Sequence, residues 1–400
     1  MTQHRCQLLF IPFKGVMQNK STCVHSTHLT VIIALPLRYI KPHIQTFLRR
    51  HSNILRTPLN ITPSLTLQAT MTTPSTSLDN KQITVVITSG DQYIGNEFAH
   101  HMLTEYRADF RRLSVTLVHP ERGRCLRRSG AELKPIDYKN ENSLVAAFGG
   151  EVDWVLLVPD SLDDNRVENT KKLVDAMQRA GQVANVIFIS VAGAEAQNWN
   201  QMKELLELEN YVKQKGKNWV ILRTTWISNI FHLWGEYVVV NGKFPLTLEP
   251  NQKFSPIQHE DITRAVHAII HGDTHRHHQG KTYTLTGPEQ LDGPEIVDRL
   301  NRAIGNGRVE YLTVKREVLE NYLKSRRDGA DDKLKDLFEG QPTDKQTQTL
   351  LDELEWVRAG QADFTTDDLK NLIGSDGQKL EEFFKRNSIE FGGPFVAQNM

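Results

Sequence analysis

Four groups of residues in this 400-residue chain are spaced to do chemistry. Thr88 to Gly95 reads TSGDQYIG and joins a short β-branched run to a helical stretch, the place of a phosphate-binding turn. Gly90 allows a tight turn, and the amides opening the helix at Ile94 and Gly95 face the side from which a pyrophosphate would come, with Asp91, Gln92 and Tyr93 between them. The spacing is G-x-x-x-x-G, without the middle glycine that lets a backbone approach phosphates closely, so a turn that binds nothing stays open as the plain alternative. Arg122 and Arg124 follow the second β-branched run; arginines there suit the 2′-phosphate of NADP, whereas an acid such as the neighbouring Glu121 suits the 2′-hydroxyl of NAD. Tyr211 and Lys215 have the Tyr-x-x-x-Lys spacing in which a lysine lowers a tyrosine pKa for proton transfer to a carbonyl. Their helix, however, starts near Met202 and runs away from the ligand edge, which puts Tyr211 roughly 13 Å too far along, and the pair reads as a chance match on a solvated helix end. His271, His275, His277 and His278 lie in the polar loop HGDTHRHHQG, where no cysteine or carboxylate spacing supports a metal, and no metal is expected there.

These residues need a frame, and the pattern of the chain supplies one. ITVVIT (from Ile83), LSVTLV (from Leu113), ELKPID (from Glu132), VDWVLLV (from Val152), NVIFIS (from Asn185) and WVILR (from Trp219) read as strands. Helical stretches alternate with them: from Ile94 to about Arg107, from Leu144 to Phe148, from a Ser161 cap to Gly181, and from Met202 to Gly216. Strict alternation means an α/β fold, a doubly wound parallel sheet with helices on both faces, which binds ligands beyond the carboxyl ends of its strands. The last third is helical, with apolar stripes at Leu350, Leu351, Leu354 and Val357, at Leu369, Leu372 and Ile373, and at Leu380, Phe383 and Phe384, the last behind a Ser375-to-Gln378 capping box.

Hydrophobic residues at 39% and charged residues at 24% are ordinary for a folded chain, and 48 basic against 48 acidic side chains give no charge argument for nucleic acid. Three cysteines, Cys6, Cys23 and Cys125, are too few and scattered for a disulfide framework. The longest aliphatic run, Val31 to Leu37, is far short of the ~20 residues that span a bilayer. Residues 1–78 carry no acid at all, the first being Asp79. That composition reads as a mitochondrial transit peptide or as a translated upstream segment ahead of a domain opening near Met71, in either case without fixed structure. The expected compartment is the cytoplasm, with the nucleus also open, or the mitochondrion if the extension is a real transit peptide.

Taken in order, ITVVITSGDQYIG, NVIFISVAGAE, ENYVKQKGKNWVILRTTWISNIF, FSPIQHEDITRAVHAII and the YTLTGPE of Gly280 to Gly305 resemble the NmrA-like branch of the atypical short-chain dehydrogenase/reductases, from about Ile83 to Phe391. The resemblance implies an NAD(P)-binding Rossmann domain over residues 81–225 and a smaller, mostly helical substrate and lid region over 226–393 with strands returning to the sheet. It implies NADP, or else NAD, lying on Gly90 to Gly95, with Asp137 and Tyr138 beside the adenine, Pro159, Asp160, Ser190 and Val191 along the ribose and nicotinamide, and Trp226 and Asn229 walling the substrate cleft. Some reductases of this branch keep only a lysine at the start of the helix after the serine-ending strand, and Lys203 stands nearest that place, as the candidate catalytic residue. Two functions follow: an NADPH-dependent reductase of a quinone or similar electron-poor small molecule, or a non-catalytic redox sensor acting through a protein partner.

Overall fold

The computed structural model describes residues 83–160, 164–196, 198–216, 218–272, 275–305, 307–328 and 342–394. The expectations for the N-terminal extension and for Ser161 fall outside these residues. By its contacts the chain divides at Asn80, and residues 81–400 form one unit.

Strand β1 (Ile83–Ile87) leads into α1 (Tyr93–Glu105), then β2 (Phe110–Leu117), α2 (Arg124–Arg128), β3 (Glu132–Pro135), α3 (Glu141–Ala147), β4 (Val152–Leu157), α4 (Arg166–Ala180), β5 (Val183–Val191), α5 (Asn200–Lys215) and β6 (Trp219–Thr224). After α6 (Gly235–Asn241), β7 (Lys243–Leu246) and α7 (His259–His271), β8 (Lys281–Leu285) returns to the sheet beside β6. The seven strands run in the order β3-β2-β1-β4-β5-β6-β8, and every neighbouring pair is parallel. Strand order reverses between β1 and β4, which makes the crevice above their carboxyl ends the switch point of the sheet.

Alternation along the strands explains why both faces are covered. Val85, Ile87, Val115, Leu156, Ile189 and Leu222 face one way and pack with Phe98 and Met102 of α1 and with Ile262, Val266 and Ile269 of α7. Val86, Val155, Leu157, Phe188 and Ile221 face the other way and meet Leu144 of α3, Leu173 and Val174 of α4, and Leu208 and Val212 of α5. Helix α4 starts at Arg166 behind Asn165 and ends as expected at Gly181, whose φ of +72° is the left-handed conformation a glycine takes cheaply.

The remaining elements gather on a third, aromatic core in which Trp226, Phe231, Trp234, Phe244, Phe254, Phe383 and Phe384 are buried together. Around it lie α8 (Gly293–Ile304), β9 (Glu310–Thr313), α9 (Arg316–Asp328), α10 (Asp344–Arg358) and, beyond α11 (Asp368–Ile373), whose Leu369, Leu372 and Ile373 pack on the first core instead, α12 (Leu380–Arg386), with β7 and β9 forming a small parallel pair. Helices α8 and α10 carry full capping boxes, Asp292 with Glu295 and Thr343 with Gln346. The box expected from Ser375 to Gln378 does not form. Asp261 of α7 takes the Gln378 amide at 2.6 Å instead, and α12 begins only after Lys379. Among the described residues no helix is long and apolar enough to cross a membrane.

Candidate functional site

The turn after β1 is tied to the end of β4 before any ligand is considered. Thr88 Oγ1 donates to the Val158 carbonyl at 2.9 Å and accepts the Val158 amide at 2.8 Å, while Ser89 Oγ donates to the same carbonyl at 2.9 Å. The left-handed residue of the turn is Ser89, with φ +58°, not Gly90. Gly90 is required for a different reason: a Cβ there would lie 1.9 Å from Val115 Cγ1. Gly95 keeps α1 close to β1, since its Cβ would meet the Ser89 carbonyl oxygen at 2.2 Å. Both glycines therefore serve packing within the protein, and the middle position facing the crevice belongs to Gln92.

Asp91, Gln92 and Tyr93 each have a distinct task. Asp91 Oδ2 accepts the amides of Val118 and His119 at 2.9 and 2.8 Å and clamps the turn to the end of β2. Gln92 Nε2 donates to Asp160 Oδ1 at 2.5 Å, so a side chain from the β1 turn meets one from beyond β4 across the switch point. Tyr93 Oη accepts Asn229 Nδ2 at 3.3 Å, its ring edge lies against His232, and burial raises the phenol well above its ordinary pKa. The start of α1 lies beneath the buried Gln92 and Asp160. Gln92 makes no side-chain cap, and the first turn contains no acid, so the amide dipoles there are uncompensated.

Around this turn the other expected residues are spread along the carboxyl edge. Arg122 is half-buried in the 3-10 turn Pro120–Gly123 and Arg124 is exposed at the start of α2, both directly after β2. Asp137 accepts the Lys139 amide at 2.8 Å, and Tyr138 packs on the cluster beneath α3 and α4. Pro159 is half-buried beside the buried Asp160. Ser190, next to last in β5, donates its hydroxyl to Glu209 Oε1 at 2.7 Å, and Val191, which ends the strand, is half-buried.

Glu209 is the centre of a buried network that the sequence did not reveal as such. Its carboxylate is fully buried and also accepts Arg223 Nε and Nη2 at 2.8 and 2.7 Å, and burial raises its pKa. Ser190 is therefore committed to holding α5 on β5 and β6. Tyr211 Oη donates to Asp175 Oδ1 on α4 at 2.7 Å, a bond that holds its pKa up at about 12 and ties α5 to α4. Lys203 sits exposed in the first turn of α5, with Met202 beside it turned into the core.

Two residues expected to wall the substrate cleft part company. Trp226 is only 1% exposed, set among Phe231, Trp234 and Phe254 with ring centroids 5.7 to 6.2 Å away, so it belongs to the aromatic core and lines no open wall. Asn229 reaches the turn through Tyr93, and its Oδ1 is buried with no hydrogen-bond partner. A cavity of about 350 Å³ does open at the carboxyl edge further along, lined by Gly193, Glu195, Arg223, Thr284, Trp356 and Phe364. Gly193 has φ +83°, and a Cβ on it would lie 2.5 Å from the Trp356 ring, so α10 sits directly on the β5–α5 turn. The glycine in the segment SVAGAE was a visible signal for that contact, but its partner 163 residues on was not.

Residues 79–380 match the model of the NmrA-like family, and the chain belongs to that family. It is 26% identical to the NAD(P)H azoreductase of Xenophilus azovorans over 232 residues, 58% of this chain and 77% of that one. Among solved structures it is similar to an NADPH-dependent quinone oxidoreductase of Escherichia coli crystallised with NADPH, with a TM-score of 0.61 at 20% identity over 76% of this chain and 99% of the other. It is also similar to NmrA, a negative transcriptional regulator crystallised with NADP, with a TM-score of 0.57 at 16% identity over 78% and 98% of the two chains.

Proposed function

We propose that this chain binds NADP(H), in preference to NAD(H), at the crevice between β1 and β4 and reduces a quinone or similar electron-poor small molecule. The observation that carries this reading is the α1 N-terminus at the switch point, without a side-chain cap from Gln92 and free of first-turn acid, with Arg122 and Arg124 one strand away. Asn229 Oδ1, buried and unpartnered beside the turn, supplies an acceptor suited to an amide of the ligand. The Gln92 side chain must leave Asp160 for the ligand to cross the crevice. Azo- and quinone reductases among the relatives support the choice of substrate class.

When bound, the reduced nicotinamide supplies hydride. The residues of this chain orient and enclose; they do not relay protons. Ser190 is held by Glu209 and Tyr211 by Asp175, so neither is an acid for the substrate, and a quinone takes its protons from water. Lys203, at the opening of α5, is retained as the cation that steadies the ribose. The cavity beneath Trp356 is the substrate pocket nearest this edge.

The Gln92–Asp160 bond also favours a second reading, a sensor whose crevice opens on nucleotide binding and alters contact with a protein partner. Oxidation of NADPH by the full chain against a panel of quinones and azo dyes separates the two. Sustained turnover supports the reductase; tight nucleotide binding with no turnover on any acceptor supports the sensor. A Lys203→Ala variant with undiminished KM and kcat would remove the lysine from its assigned role.

A further inference from the structure

The sequence directs attention to histidines in the loop after α7, but the structure brings a different set together at the opposite, amino edge of the sheet. His267 and His271 lie four apart on the last turns of α7 and share one face, their rings stacked at 4.4 Å between centroids. Asp109 ends the 3-10 turn Arg107–Asp109 just before β2, and its Oδ2 comes within 2.9 Å of His267 Nε2 across 158 residues of sequence. One ligand atom from each of the three lies within 4.8 Å of the others. Independently of that geometry, His271 Nε2 is buried without a hydrogen-bond partner, an arrangement that leaves a polar atom unsatisfied unless something else meets it. A cavity of about 380 Å³ opens beside them, lined by His267, His271, His278 and Asn371, with room for solvent.

We propose that Asp109, His267 and His271 form a site for a divalent transition metal of the zinc type. Two imidazoles and one carboxylate are the donor set zinc, nickel and copper prefer, whereas calcium and magnesium demand oxygen. A zinc ion about 2.0–2.1 Å from each donor needs donor atoms about 3.3 Å apart. The His267–Asp109 pair, now at hydrogen-bond distance of 2.9 Å, has to open by about 0.4 Å, and the His271 nitrogen, within 4.8 Å of both, has to close in by rotation of its ring. Water from the adjoining cavity completes the tetrahedron. The ion ties the end of α7 to the entry of β2, and it lies on the far side of the sheet from the switch point, so its role is to hold the fold and not to take part in hydride transfer. The competing explanation is an ordinary ion pair, His267 with Asp109, beneath the ring of Tyr106 stacked on His267 at 3.9 Å.

Chelator-stripped full-length protein is titrated with Zn2+ by calorimetry and with Co2+ by visible absorption. The expected result is one equivalent bound with the intense d–d band of tetrahedral cobalt. His271→Ala and Asp109→Asn are each expected to weaken binding by at least about 100-fold, while the exposed His277→Ala leaves it unchanged. Asp109→Asn keeps a hydrogen-bond acceptor for His267, so a fold carrying only the ion pair tolerates it. Zinc is also expected to raise the Tm of the wild type and not of His271→Ala. Absence of stoichiometric binding in the wild type, or binding in both variants equal to the wild type, overturns the site and leaves the ion pair as the whole explanation.

Discussion

Gln92 carries the sharpest departure from an ordinary dinucleotide turn, and its consequence is measurable. Its bond to Asp160 must break before a ligand crosses the switch point, and a charge-assisted hydrogen bond is worth about 1.5–3 kcal/mol net. Gln92→Gly is therefore expected to tighten NADPH binding by roughly ten- to a hundredfold, read by calorimetric titration; weaker binding in the variant would mean that the glutamine contacts the ligand directly. Arg223 is a second test at this scale. Removing it leaves the fully buried Glu209 with Ser190 and the partly exposed Lys213, and breaking such a buried pair costs about 3–5 kcal/mol. Arg223→Ala should lower the urea midpoint markedly without changing the turn after β1. Little of this was legible beforehand, because Glu209, Arg223 and Ser190 come from one helix and two strands and meet only after the sheet has formed. The sequence showed a glycine missing from the turn, but not that Ser89 would take the left-handed conformation or that Asp160 would be the partner of Gln92.

Among the elements, the Rossmann-type strands were legible, as were the starts of α1 and α5 to within a residue or two, whereas the start of α12 was not. Runs such as ITVVIT and NVIFIS are buried on both faces, so composition alone marks them. Caps depend on competition: the Gln378 amide is free to find a better acceptor, and Asp261 on α7 provides it. The two short strands β7 and β9 carry no signal of their own and exist because they meet above the aromatic core. Helix α10 allows two predictions. Gly193→Ala places a methyl against the Trp356 ring at a left-handed φ, so it should displace α10 from the β5–α5 turn, shift the tryptophan emission to the red and lower the Tm by several degrees. Glu353, on the same helix, is buried, and burial alone raises its carboxyl to about 8. A carboxyl raised in the folded state contributes stability that is full below its unfolded pKa near 4.5 and is lost as pH rises through about 8. Glu353→Gln should remove that decline and raise the Tm at pH 9 by roughly 5 °C; an unchanged pH profile would show that the carboxylate finds a counter-charge or water.

For the whole molecule, a parallel sheet with a single reversal of strand order, covered on both faces and flanked by an aromatic helical core, fixes where a ligand can lie more firmly than it fixes which chemistry follows. The class of fold was readable from alternation of strand and helix. Tyr211 reads from the sequence as too far along its helix to reach the ligand edge, and the structure gives it a partner in Asp175 that joins two helices. The three-residue cluster at the amino edge was unreadable, because Asp109 and His267 are far apart in sequence. Nucleotide recognition is the claim on which both readings of the function depend. Calorimetric titration of the full chain with NADPH and with NADH, repeated on Arg122→Ala/Arg124→Ala, tests it most directly. The expected result is NADPH bound about tenfold or more tightly than NADH, with the preference lost in the double variant. Failure of either nucleotide to bind, or equal affinity for both in the wild type, would contradict it.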